Sequence, residues 1–237
     1  MPWGDTAPLL ACRDLRFSWD GLVDVLALSR FDAAPGESVF VCGPSGSGKS
    51  TLLGLIAGIA VPGAGTVAVL DIRLSELSAA RRDRFRADYL GYIFQQFNLL
   101  PYLSPVENVL LGCAFSTRRS ACAIRNAPSA RAEAERLLDA LGLDAAALRR
   151  HRTVDLSVGQ QQRVAAARAL IGAPALVLAD EPTSALDAEA RDAFVGLLLT
   201  ECRHHCSAVV FVSHDLALAR HFDRVVRLAP PARREAA

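Results

Sequence analysis

Residues 43–51 read GPSGSGKST, and they fit G-x-x-x-x-G-K-[ST] with Gly43, Gly48, Lys49 and Ser50 in register. Glycines in such a loop let the backbone N–H groups of Gly46, Ser47, Gly48, Lys49 and Ser50 turn toward one centre, and the helix that follows adds its positive N-terminal end. Anions bind such a nest, so Pro44, Ser45 and Thr51 fall within the same phosphate-holding segment. Lys49 is the only lysine of the chain, although lysine and arginine together number 26. A compact ammonium reaches between two phosphates where the broad guanidinium would crowd them. Ser50 offers a hydroxyl to Mg²⁺. The flanks agree with this reading: ESVFV before the loop reads as a strand and TLLGLIAGI after it as an apolar helix.

The chain has 237 residues and a formal charge of +1, enough for an ample core and with no basic field that would ask for nucleic acid. The arginine-rich runs 81–86 and 149–152 read as solvated faces. Six cysteines without a C-x-x-C pair read as reduced thiols in cytoplasm. Cys202, His204, His205 and Cys206 lie too close together on one helix for all four to point at one ion. Leu52 to Leu70 is uncharged and long enough to cross a bilayer, but Pro62, Gly63 and Gly65 divide it into a helix, a turn and a strand. The protein is therefore not expected to span a membrane by itself.

Apolar runs at Ser38–Cys42, Ala175–Ala179 and Ala208–Val212 read as strands of a parallel sheet buried on both faces. Helical patterns lie between them, as in Arg131 to Leu141 with Ala134, Leu137, Leu138 and Leu141 on one face. Short alternating segments around Leu9–Trp19 and Val25–Phe31 suggest antiparallel strands, joined by Thr66–Leu70. The expected fold is α/β: a P-loop NTPase core with a parallel sheet, an N-terminal antiparallel β subdomain and an inserted helical subdomain. All 237 residues read as one nucleotide-binding domain, with the helical lobe at about 103–169 and a loose tail at about 230–237.

Two further segments narrow the chemistry. VLADEPTSALD, from Val177 to Asp187, is an apolar strand ending in two acids. Asp180 at its tip is placed to hold Mg²⁺, and Glu181 to polarise an attacking water as general base. DLSVGQQQRVAAARAL, from Asp155 to Leu170, sets Ser157 three residues before Gln160, a capping box ahead of a helix expected from Gln161 to Ile171. Free N–H groups and a hydroxyl at that end suit a phosphate.

With these motifs in this order, the chain resembles the ATP-binding cassette (ABC) family over nearly its whole length. The family carries LSGGQ where this chain has LSVGQ, so Ser157, Gly159 and Gln160 correspond to phosphate-contacting positions and Val158 replaces a glycine. Gln95 in YIFQQFNLLP resembles the family's glutamine loop, a Mg²⁺ ligand and catalytic position; Asp187 resembles its dimer-facing aspartate, and His214 in VVFVSHD its switch histidine. Trp19, with Phe17 as the alternative, corresponds to the aromatic that stacks on adenine. The resemblance implies an ATPase that pairs with a second copy of itself around two MgATP, and a separate integral membrane permease docked near Gln95 to Pro105. It also implies a peripheral position on the cytoplasmic face of the inner membrane. Phe97, Leu99, Leu100, Tyr102 and Leu103 could supply an apolar docking surface there or pack in the core.

GYIFQQFNLLPYLSPVENVLL is similar to the lipoprotein-release and macrolide-exporter branch, and TSALD is equally at home in importers of amino acids or metals. A cassette ATPase working without a membrane partner is the remaining alternative. Since Lys49 is unique, amine acylation is expected to modify only Lys49 and the N-terminus, and MgATP to protect Lys49. Peptide mass mapping checks this, and equal labelling with and without nucleotide contradicts it.

Overall fold

The computed structural model describes residues 8–125 and 127–230, and the tail expected at about 230–237 lies almost wholly outside them. Strands β1 (Leu10–Phe17), β2 (Leu26–Ala33), β4 (Ala64–Val69) and β5 (Ile72–Arg73) form an antiparallel sheet in the order β2-β1-β4-β5. The inward face of β1 is Leu10 and Cys12, then Leu15 and Phe17, so the alternation changes phase between them. A bulge causes the shift. The β1–β4 register breaks between Arg13 and Arg16, and Asp14 sits at φ 48°. Opposite it, Gly65 at φ 85° lies so close that a Cβ would meet the Asp14 carbonyl oxygen at 2.4 Å, which only glycine avoids.

The second sheet is parallel throughout: β3 (Ser38–Cys42), β6 (Leu90–Ile93), β7 (Leu176–Asp180), β8 (Ala208–Val212) and β9 (Arg224–Arg227), ordered β6-β7-β8-β3-β9. β3, β7 and β8 were expected from their apolar runs; β6 and β9 are only four residues each, and periodicity did not single them out. The sheet separates two cores with the period of two that strands impose. Val39, Val41, Leu176, Leu178, Val210 and Val212 face α1 (Lys49–Ile56) and the antiparallel sheet. Phe40, Val177, Ala179, Val209 and Phe211 face the other helices. On that side Phe40, Phe211 and Phe222 pack with ring centroids 5.0–6.2 Å apart.

α2 (Ala79–Tyr89) precedes β6, and α3 (Pro105–Ala114), α4 (Thr117–Ala123), α5 (Ala130–Ala140) and α6 (Val158–Leu170) run between β6 and β7. α7 (Ala188–His204) joins β7 to β8. The expected apolar face of α5 is fully buried at Ala134, Leu137, Leu138 and Leu141. The run 81–86 is more than a solvated face. Arg82 donates to the Leu77 carbonyl at 2.7 Å and Arg86 to that of Gly58 at 3.0 Å, just past the end of α1.

Arg119 on α4 is 4% exposed, and among the described residues it forms no ion pair with a carboxylate. Its guanidinium donates to carbonyls at the end of α6: Nε to Ile171 at 2.8 Å and Nη2 to Ala169 at 2.7 Å, with Nη1 reaching Leu90 of β6 at 3.3 Å. Helix ends leave carbonyls without intrahelical partners and carry partial negative charge, and here one cation answers both needs. Burial pushes its pKa down to about 10, still well above neutrality. Arg119→Met should lower unfolding free energy by about 3 kcal/mol or more, because several buried carbonyls lose their donor together. Urea denaturation checks this; an unchanged midpoint contradicts it.

Candidate functional site

Parallel register brings three chain segments to one edge. Asp180 pairs with Val212, and Val212 with Val41, so β7, β8 and β3 end level with one another. Beyond those ends lie Glu181, His214 and the loop that begins at Gly43. Two backbone bonds lock the level: the Glu181 N–H donates to the Val212 carbonyl at 3.0 Å and the Ser213 N–H to that of Val41 at 3.2 Å.

The loop has the shape its glycines allow. Gly46 and Gly48 take φ 79° and 84°, and at Gly48 a Cβ would lie 2.7 Å from the Val25 carbonyl oxygen. α1 starts immediately after, with Lys49, Ser50 and Thr51 in its first turn. Of the amides expected to converge, that of Ser47 closes the loop on the Pro44 carbonyl at 3.2 Å. Lys49 folds back over the same loop, its Nζ donating to the carbonyls of Gly43 at 2.9 Å and Pro44 at 3.0 Å. Ser45 and Gly46 lie on the exposed rim.

Ser50 Oγ donates to Asp180 Oδ1 at 3.1 Å. Burial pushes the Asp180 carboxyl above its ordinary range, the Ser50 hydroxyl opposes this, and the neighbouring Glu181 adds to the rise. A carboxylate and a hydroxyl converging in a partly buried corner are hard oxygen donors that suit Mg²⁺. Gln95 lies on an exposed turn two residues beyond Ile93, which pairs with Ala179, so it leaves β6 on the flank of Asp180. That turn is braced from α6: Arg168 donates to the carbonyls of Phe97 at 2.5 Å and Asn98 at 2.6 Å, two residues held at φ 59° and 50°.

Glu181 is the strained member of the site, a non-glycine residue at φ 47°. Such a backbone costs about 1–3 kcal/mol and persists only when its surroundings hold it. Besides its amide bond to Val212, its carboxylate Oε2 lies 2.7 Å from His214 Nδ1. For an ionised carboxylate, which only accepts, this contact requires the tautomer with the proton on Nδ1. His214 is largely exposed and Glu181 is not.

α6 begins at Val158, three residues earlier than expected, because Ser157 and Gln160 close a full capping box: Gln160 N–H to Ser157 Oγ at 3.3 Å, Ser157 N–H to Gln160 Oε1 at 2.9 Å. This leaves the amides of Val158 and Gly159 as the donors still directed outward. Val158 sits half-exposed at the first helical position, where a valine meets no obstacle. At Gly159 a Cβ would touch Leu186 Cδ2 at 3.3 Å. Asp187 is first of all the N-cap of α7, accepting from the Ala190 N–H at 2.8 Å. Trp19 is 72% exposed and stands edge-on to the buried Phe17, with centroids 4.7 Å apart. Of the apolar residues near Gln95, Tyr102 is the most exposed and Leu100 borders on exposure; Phe97, Leu99 and Leu103 are half-buried, Leu99 packing against the core.

Sequence reasoning passed over Arg191 and Asp215. Arg191 stands four residues after Asp187, one helical turn away, and Asp215 directly follows His214; that spacing was the available signal. Among the described residues no helix is long and apolar enough to cross a membrane.

Comparison with known proteins shows the family and the fold. The ABC transporter family matches residues 26–184. The chain is 38% identical over 223 residues, 93% of its length and 94% of the relative's, to the lipoprotein-releasing system ATP-binding protein LolD of Pseudomonas fluorescens. It is 41% identical to that of Novosphingobium aromaticivorans, covering 93% and 96% of the two chains. Among solved structures, the dimeric form of the bacterial ABC transporter cassette MJ0796 superposes with a TM-score of 0.80 at 34% identity, over 92% of this chain and 94% of that one. Its post-hydrolysis state bound to ADP and Pi gives 0.79. The chain therefore belongs to the ABC transporter family, as an ATP-binding and ATP-hydrolysing subunit.

Proposed function

We propose that this chain is the ATPase of a lipoprotein-release type of transporter, in which two copies close around two MgATP and drive a separate membrane permease. The observation that carries the hydrolytic part is the 2.7 Å contact between Glu181 and His214, level with the phosphate loop. The substrate class and the permease rest on likeness to the LolD relatives at about the same length, and the pairing on the dimeric cassette. A peripheral place on the cytoplasmic face of the inner membrane follows from the same reading, with Leu100 and Tyr102 at the docking surface.

Lys49 exchanges the carbonyls of Gly43 and Pro44 for the β- and γ-phosphates, while the segment Gly43 to Thr51 wraps them, with Gly46, Gly48, Lys49 and Ser50 supplying backbone donors. Ser50, Asp180 and Gln95 would hold Mg²⁺, which when bound neutralises charge on the phosphates. Trp19, set on Phe17, offers its face to adenine. Glu181 takes the proton of the attacking water, and His214 fixes the carboxylate through Nδ1. Ser157, Gly159 and Gln160 of one copy cover the γ-phosphate held by the other, the segment 103–169 acting as the lobe that carries them, and Asp187 faces the partner. ATP binding closes the pair and hydrolysis releases it.

Glu181→Gln should retain ATP binding and lose at least about a hundred-fold in hydrolysis, the range a positioned base supplies. The stalled variant should sediment as a dimer with ATP. Hydrolysis at the parent rate would reject Glu181 as the base. At the opposing wall, Val158→Gly should change the rate modestly while Ser157→Arg abolishes ATP-dependent dimerisation by filling the phosphate position. Parent activity in both would remove this segment from the site.

A further inference from the structure

The first turn of α7 holds the segment after His214 at two points of opposite polarity. Arg191 Nη1 lies 2.5 Å from Asp215 Oδ2, both groups about a quarter exposed. One residue on, Asp192 faces Arg220 and His221, with His221 Nε2 at 2.9 Å from Oδ1. The second pair is the more open to water and contributes little by itself. The first is partly sheltered and does two jobs, because Arg191 also donates from Nε to the Asp187 carbonyl at 3.3 Å.

These contacts close a ring. Glu181 meets His214 at 2.7 Å; Asp215 follows His214 and meets Arg191; Arg191 holds the Asp187 carbonyl through its Nε and through its own backbone N–H; and Asp187 leads back to Glu181 through the five residues 182–186. That return segment is a run of tight turns, with Ser184 N–H donating to Glu181 at 3.3 Å and Leu186 N–H to Thr183 at 3.1 Å. Thr183 is buried within it. On the other side, Asp215 is fixed by its own bonds: its N–H donates to Ser213 Oγ at 3.1 Å, and Oδ1 accepts from Ala217 N–H at 3.0 Å. A ring of short, hydrogen-bonded pieces transmits a displacement rather than absorbing it, and its one long side chain is Arg191.

We infer that Arg191 is a positioning residue that couples Asp187 to His214, so that the placement of the aspartate loop sets how the histidine holds Glu181. Arg191 touches neither the phosphate loop nor the reacting atoms and acts through two other residues. The inference rests on the proposed roles of Glu181 and His214 and deepens them: contact of the second copy at Asp187 becomes a condition for hydrolysis rather than for ATP binding.

The full chain is assayed for steady-state ATP hydrolysis, binding of a fluorescent ATP analogue and thermal unfolding. Arg191→Met keeps the length and removes the charge; Asp215→Asn keeps the oxygen that caps Ala217. Each should lower kcat by about ten-fold, the scale of a mispositioned catalytic group, with KM and analogue affinity within about two-fold of the parent. The double variant should be no slower than the slower single, because both break one link. Arg191→Lys should recover part of the loss, since an ammonium can reach Asp215 but lacks the fork that also holds Asp187. A purely structural role would lower the melting temperature and the affinity together and would not give this split.

His214→Ala separates the two levels of argument. If it hydrolyses ATP at the parent rate, the assignment of the site fails. If it is inactive while Arg191→Met and Asp215→Asn keep parent kcat, or if their losses multiply in the double variant, the coupling through Arg191 is overturned and the site stands. Should Arg191→Met fail to fold, Asp215→Asn decides alone by the same criterion.

Discussion

Everything at the site depends on β7, β8 and β3 lying parallel and in one register. Because Asp180, Val212 and Val41 share a level, three loops distant in sequence leave the sheet within reach of one another. A one-residue slip of β7 against β8 would turn its side chains to the opposite core and carry Glu181 away from the Val212 carbonyl. The period-two division of Val39 and Val41 from Phe40, and of Leu176 and Leu178 from Val177, prevents that slip by burying both faces. Core packing thus sets the geometry of the proposed site.

A second constraint is the way arginine is used. Arg119 holds carbonyls at the end of α6, Arg168 those of the turn after Gln95, Arg86 that of Gly58 beyond α1, and Arg191 that of Asp187. In the first three a planar fork with several donors meets carbonyls that a helix end or strained turn leaves free, whereas the Asp187 carbonyl also accepts the Arg191 backbone N–H at 3.0 Å. Lys49 also meets carbonyls, but those of its own loop. In the proposed function this compact ammonium exchanges them for phosphate oxygens.

Strain and its support occur together. Glu181, Phe97 and Asn98 all sit at positive φ without being glycine, and each is held by a bond from another element: Val212 and His214 for the first, Arg168 for the others. These three stand beside the proposed site or Gln95, while positive φ also occurs away from it at Asp14, Leu70, Asp71, Ala173 and Cys206; the placement of the three follows from the tertiary contacts that hold them.

The phosphate loop, the three apolar strands, the buried face of α5 and the acids closing β7 were legible in the sequence. Each is a local pattern, a glycine spacing or a periodicity that the chain expresses without reference to distant residues. The strands β6 and β9 escaped because neither is more than four residues long, and the start of α6 was misplaced because a capping box draws the helix back to its cap. Arg119 and Arg191 escaped for another reason. A sequence records that an arginine is present, but only the folded chain brings Ile171 to Arg119, or Asp215 and Asp187 to Arg191. Residue types and spacing determined which chemistry this protein carries; packing and register decided which side chains stand together to perform it, because those contacts join residues that no local rule relates.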